Sequence, residues 1–314
     1  MPSAIPSGSE LGTRLAAGDR SAAPAALNLL ETRTARDEAA ALVSAAGSGA
    51  GHIVGLTGPP GVGKSTLLSA LVREWRARAL SVAVLAVDPS SKRSGGALLG
   101  DRARIEHDPA DRDVFIRSMA AGERLGGLAP ATRAGASALA CAFDVVVIET
   151  VGVGQSETDV AEAADTVAVV VQPGSGDALQ FLKAGIMEVP DVLVVTKADL
   201  GAPARRAEED LRVALRALGA RTTPVVLVSS VAPVSGISEL ADALAAHRAE
   251  LDLTAHRVRV RRLGALADFV HEHGERGLRA VGGRRAAVRW LAEQDPALDE
   301  PALVRALEAR AAGA

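Results

Sequence analysis

Seven short apolar runs rich in β-branched residues constrain this chain more than any other feature. They lie at residues 53–57, 82–87, 114–116, 145–148, 167–171, 192–195 and 225–228. Most are apolar without alternation, the pattern of strands buried on both faces of a parallel sheet. Stretches of helical character, such as 66–79, 132–142 and 205–218, separate them. This alternation predicts a doubly wound α/β fold with a mostly parallel sheet. Residues 1–50 are Ala-rich, with leucines spaced for amphipathic helices, a turn at Gly18-Asp19-Arg20-Ser21 and a Gly/Ser linker over 46–51. After about residue 255 the strands stop. Helical segments broken at Gly274, Gly277, Gly282-Gly283 and Pro296 follow. The expected division is an N-terminal helical extension over 1–50, the α/β domain over 51–254 and a C-terminal helical arm over 255–314.

Composition excludes several classes. The 314 residues carry 35 basic and 38 acidic side chains, too balanced for an electrostatic nucleic-acid binder. No uncharged apolar run approaches the ~18 residues that span a membrane. The N-terminus lacks the basic and apolar regions of a signal peptide. Cys141 is the single cysteine, which rules out an intrachain disulfide framework and suits a reducing, cytoplasmic setting. Aromatic residues make up 2% of the chain, so base-stacking platforms are not expected. Four lysines, Lys64, Lys92, Lys183 and Lys197, stand among 31 arginines. Where arginine replaces lysine so widely, a surviving lysine points to a need for a compact ammonium.

Three of those lysines fall in or beside phosphate- and metal-type motifs. Residues 58–65, Gly58-Pro59-Pro60-Gly61-Val62-Gly63-Lys64-Ser65, fit G-x-x-x-x-G-K-[ST] after an apolar run and before a helical stretch that begins with Thr66. The glycines turn backbone N–H groups toward phosphate, and the helix N-terminus adds partial positive charge. Lys64 is expected to reach the β- and γ-phosphates and Ser65 to bind Mg²⁺. Asp88 ends the second run and Glu149 the fourth, where carboxylates face the ligand crevice of an open sheet and can hold the metal. Gly152 could offer its N–H to the γ-phosphate. Lys92 lies in the polar, Gly-rich stretch after Asp88, and Lys183 opens a helical stretch after residue 180.

The fourth lysine belongs to a base pocket. Thr196-Lys197-Ala198-Asp199 follows the sixth run and resembles the guanine-reading N-K-x-D motif. An Asp here accepts from the N1–H and 2-amino groups of guanine, donors that adenine lacks. The Lys197 stem would cover the base. Thr196 stands where Asn is usual, a loss on the order of 1 kcal/mol in hydrogen bonding. The stretch Ser230-Val231-Ala232 could give a backbone N–H to the guanine oxygen.

Taken together, the motifs resemble the methylmalonyl-CoA mutase-associated GTPases of MeaB type. The matching text includes Leu15-Ala16-Ala17-Gly18-Asp19-Arg20, Asp88-Pro89-Ser90-Ser91, Leu99-Gly100-Asp101-Arg102, Leu125-Gly126-Gly127-Leu128 and the 149–157 stretch. The resemblance covers roughly residues 10–290. It implies a P-loop GTPase domain using GTP/GDP and Mg²⁺, a C-terminal dimerisation arm and a homodimer. It also implies a partner, an adenosylcobalamin-dependent acyl-CoA mutase that carries the cobalamin itself. Such a chaperone gates cofactor loading and protects the mutase. The resemblance places Asp101 and Glu149 at metal and switch positions, Gln155 in a second switch and Lys183 in a third. Lys64, Asp101, Gln155 and Lys183 are the candidate catalytic residues.

Three rival readings remain at this point. A nickel-inserting GTPase needs clustered His/Cys ligands, and His271-x-His273 is the only close pair, which reads as a solvated face. An ATP-dependent kinase of a transport-associated protein is opposed by Asp199. A scaffold that binds nucleotide without hydrolysing it is distinguishable only by turnover. The basic stretch 256–262 reads as a solvated strand or dimer edge rather than a nucleic-acid site.

Overall fold

The computed structural model describes residues 6–32, 34–88, 105–120, 128–150, 156–174 and 190–313, with no account of the side chains of residues 88 and 156–158. The chain divides into two compact units. One unit comprises residues 51–132 and 143–251. The other comprises residues 1–50, 133–142 and 252–314.

Among the described residues, the first unit holds seven parallel strands: β1 (His52–Thr57), β2 (Val82–Asp88), β3 (Val114–Ala120), β4 (Val145–Thr150), β5 (Thr166–Val171), β6 (Val192–Val195) and β7 (Val225–Leu227). Their order is β3-β2-β4-β1-β5-β6-β7. β1 therefore sits between β4 and β5, where the chain order reverses and open α/β sheets form a crevice at their C-terminal ends. Every residue of β1, β4, β5 and β6 is buried, which is why these strands read as unbroken apolar runs.

Side chains two apart share a sheet face. Val54 and Leu56, Val82, Val84 and Ala86, Val145 and Val147, and Ala168 and Val170 all join one core. Two helices close it: α4 (Lys64–Ala77) through Leu67, Leu68, Leu71 and Trp75, and α8 (Ile237–Glu250) through Ile237, Leu240 and Leu244. Between them in the chain come α5 (Pro130–Leu139), α6 (Ser156–Ala161) and α7 (Ala202–Ala217). The sixth strand ends in a short 3-10 turn, Ala198–Leu200.

The second unit is helical: α1 (Gly8–Ala16), α2 (Ala23–Glu31), α3 (Arg36–Ala46), α9 (Leu253–Ala280), α10 (Arg284–Ala292), α11 (Glu300–Ala312), and α5 from Arg133 onward. Ser7, Asp252 and Asp299 cap α1, α9 and α11 by accepting from the N–H groups of Glu10, Ala255 and Ala302. Glycine lets α1 lie directly on α3. A Cβ on Gly12 would stand 2.3 Å from the Leu42 carbonyl oxygen. Ala265, Leu266, Phe269, Leu291, Leu303 and Leu307 build the core shared by α9, α10 and α11.

The strand expected over residues 256–262 does not form. These residues lie inside α9, which runs to Ala280 and departs from helical geometry only at Gly274. Three of their arginines serve main-chain carbonyls of the same unit. Arg257 donates to Gly49, Arg261 to Pro296 at 2.8 Å and Arg262 to Gln294 at 2.6 Å. All three acceptors lie in loops, so three of the four arginines of the basic run are engaged within their own unit.

Candidate nucleotide site

The turn after β1 is shaped by close approach. Gly58 has φ 143°, and a Cβ there would lie 2.1 Å from the Val170 carbonyl oxygen of β5, so no other residue fits. Gly61 and Gly63 also take positive φ, 78° and 96°. The loop thus turns straight into α4, whose first residue is Lys64. That residue is 6% exposed. Its Nζ donates to the carbonyls of Gly58, 2.7 Å, and Pro59, 3.0 Å. The ammonium is held over its own loop, beside backbone N–H groups at a helix N-terminus, a ready anion cradle. Ser65 is half-buried on the first turn of α4. Thr66, Pro60 and Gly61 are exposed, whereas Val62 is buried.

Glu149 is 3% exposed near the end of β4, in register with Leu56 of β1 and Ala86 of β2. Next to it, Thr150 Oγ1 donates to Thr57 Oγ1 at 2.9 Å, so the strand ends flanking the loop are tied together. Asp88 closes β2 opposite Ala120 of β3. Asp101, Gly152, Gln155 and Lys183 lie outside the described residues.

The base-side motif sits at the exits of β6 and β7. Thr196 is buried. Its hydroxyl lies 2.8 Å from the Val62 carbonyl oxygen and 3.0 Å from that of Val171. Lys197 takes a left-handed conformation, φ 57°, and its Nζ donates to Gln172 Oε1 at 2.5 Å. Asp199 is exposed in the 3-10 turn and accepts from Ser229 Oγ at 3.2 Å. The same hydroxyl lies 2.9 Å from the Val231 carbonyl oxygen. Paired main-chain bonds between Ser229 and Ser235, 2.9 and 3.0 Å, close the loop that carries Ser230, Val231 and Ala232. Val231 and Ala232 are exposed, and Ser230 is half-buried. Asp199 and this loop are therefore joined by Ser229, and the base motif is joined to the phosphate loop by Thr196. Sequence reasoning alone misses both Ser229 as the partner of Asp199 and Gln172 as the partner of Lys197.

A carboxylate held at a loop edge with an exposed face can accept two donors from a planar heterocycle. An ammonium cradle linked to it by one hydrogen bond can hold phosphate. Together these groups suit a nucleoside di- or triphosphate. The oxygen donors Ser65 and Glu149 suit a hard divalent cation such as Mg²⁺.

Comparison with known proteins points the same way. A family model described as methylmalonyl-CoA mutase-associated GTPase MeaB matches residues 23–276. A Pyrococcus abyssi protein, whose name gives GTPase as a provisional activity, is 45% identical over 252 residues, 77% of this chain and 76% of its own. The mouse mitochondrial methylmalonic aciduria type A homolog is 40% identical over 199 residues, 61% of this chain and 48% of its own. Among solved structures, that of a LAO/AO transport system kinase superposes with a TM-score of 0.62 at 28% identity. The match covers 91% of this chain and 96% of that one.

Proposed function

The chain belongs to the methylmalonyl-CoA mutase-associated GTPase family of MeaB type, and on that premise we propose that it hydrolyses GTP as a chaperone of an adenosylcobalamin-dependent acyl-CoA mutase. The observation that carries the nucleotide half of this reading is the Asp199 carboxylate. It lies 3.2 Å from the Ser229 hydroxyl, which it shares with the Val231 carbonyl, and its motif is linked through Thr196 to the phosphate loop. Guanine offers that carboxylate two donors; adenine offers none, and would leave it unpaired. This favours GTP over ATP, the alternative raised by the similar solved structure being named a transport system kinase.

Hydrolysis of this kind depends on placement and charge rather than covalent chemistry. Lys64 is positioned to exchange its loop carbonyls for phosphate oxygens as these enter the cradle. Backbone N–H groups at the N-terminus of α4 would face the same charge. Ser65 and Glu149 would hold Mg²⁺, with Asp88 at the end of β2, the strand beside β4, as a further candidate; the ion would neutralise charge on the phosphates when bound. From sequence alone, Asp101 and Gln155 are the candidates to orient water, Gly152 to reach the γ-phosphate, and Lys183 to supply a further cation when a partner orders it. The family name supplies the partner class, and the mouse relative's name is in keeping with a methylmalonyl-type mutase. A homodimer through the C-terminal helices belongs to the same proposal.

Phosphate release from GTP, measured with and without an acyl-CoA mutase holding adenosylcobalamin, tests the reading. Turnover should rise on adding the mutase and vanish in Lys64→Ala. Turnover that no acyl-CoA mutase changes would remove the chaperone half. Release equal to that of Lys64→Ala would remove hydrolysis itself and leave a nucleotide-binding scaffold.

A further inference from the structure

One hydroxyl joins the base-side motif to the phosphate loop, and its proton can be accounted for. Thr196 is 4% exposed at the end of β6. Its backbone N–H donates to the Val171 carbonyl at 2.9 Å. Its Oγ1 faces two carbonyl oxygens, Val62 in the phosphate loop at 2.8 Å and Val171 in β5 at 3.0 Å. A threonine hydroxyl has one proton, and both neighbours only accept. That proton is committed to the main chain.

The N7 of a purine is likewise only an acceptor. To read it, Thr196 would have to withdraw its proton from a buried carbonyl, losing as much as it gained. An asparagine carboxamide would face no such conflict, because it carries two donors. We propose that Thr196 is a positioning residue that ties the base loop to the phosphate loop and leaves guanine N7 unread by this side chain. Base recognition then rests on the Watson–Crick edge through Asp199. The ligand class is a nucleotide whose base presents N1–H and a 2-amino group, with or without nitrogen at position 7. This proposal rests on the guanine reading above.

Calorimetric titration of the full chain with GDP, 7-deaza-GDP and ADP separates the two. On the wild-type chain, GDP and 7-deaza-GDP should bind within about twofold of each other, both far more tightly than ADP. ADP binding as well as GDP would sink the guanine reading. A 7-deaza-GDP affinity roughly fivefold or more below that of GDP, the worth of one net hydrogen bond, that disappears in Thr196→Val would overturn the Thr196 proposal and leave the guanine reading standing. Thr196→Val should weaken GDP and 7-deaza-GDP by the same factor, and Thr196→Ser should restore both. A loss confined to GDP would mean that the hydroxyl had been reading N7. Thr196→Asn should acquire a 7-deaza penalty of about fivefold, the same single hydrogen bond, and its absence would also count against the assignment. Equal wild-type affinities for GDP and 7-deaza-GDP support the proposal without any variant, and Thr196→Ser, which keeps the hydroxyl, controls for how the substitutions fold.

Discussion

Lys64 gives its ammonium protons to two carbonyls of its own loop, at 2.7 and 3.0 Å, and is almost wholly enclosed. A charged donor in such a place is worth about 1.5–3 kcal/mol in hydrogen bonding. Lys64→Ala should therefore weaken GTP by roughly 10- to 100-fold by calorimetry, on the basis of that range. At the other end of the site, the Asp199 carboxylate accepts from two guanine donors in this account. Asp199→Asn turns one acceptor into a donor, which suits the 2-oxo group of xanthine. The variant should lose GDP affinity and gain affinity for xanthosine diphosphate, measured by competition; an unchanged GDP preference would mean that the carboxylate does not face the base. The phosphate loop is legible in the sequence because its residues are contiguous and each is needed for one stated reason. The base pocket is legible only in part. Ser229 meets Asp199 across 30 residues of chain and Lys197 meets Gln172 across 25, and no local pattern marks either pairing. Thr196 reads as a weakened base contact because sequence does not show that its hydroxyl turns inward.

At the scale of elements, the strands are readable because burial on both faces confines polar residues to their ends. The helix over 256–262 is not. Arg257-Val258-Arg259-Val260-Arg261 alternates with the period of a strand, yet Asp252 caps a helix there and the arginine side chains find carbonyls in neighbouring loops. Tertiary hydrogen bonds outweigh the local period. Two predictions belong to this scale. Thr166 Oγ1 lies 2.8 Å from His52 Nε2 and 2.9 Å from His247 Nδ1, and His247 Nε2 donates to Asp191 Oδ1 at 3.2 Å. The hydrogen bond to Asp191 raises the His247 pKa above its ordinary value despite partial burial, and the charges of Asp191, Glu250 and Asp165 add to it. A raised folded-state pKa contributes stability that is full below about pH 6.5 and lost as pH rises through the folded value. The melting temperature of His247→Gln should accordingly fall further below wild type at about pH 6 than at about pH 8.5. Equal deficits at both pH values would contradict the linkage. In the helical unit, Gly12→Ala drives a methyl into the Leu42 carbonyl, and the overpacking should cost about 1–3 kcal/mol in denaturant unfolding.

Across the whole molecule, the two chain ends belong to one helical unit, together with residues 133–142 from the middle of the sequence. Neither the periodicity of that middle segment nor its composition marks it as different from the other crossover helices, so the grouping is invisible in the sequence. The site residues that are described, from the phosphate loop to the 229–235 loop, all belong to the α/β unit. Nucleotide should then stabilise the molecule by mass action. GDP at about a hundred times its dissociation constant adds about 2.7 kcal/mol of unfolding free energy. In the proposed function, selection of guanine by this α/β unit rests on Asp199. The most direct test is calorimetric titration of the wild-type chain with GDP and with ADP, both in the presence of Mg²⁺. GDP should bind about a hundredfold or more tightly than ADP, as expected when a loop-edge carboxylate is paired by one base and orphaned by the other. ADP binding as tightly as GDP, or more so, would contradict it.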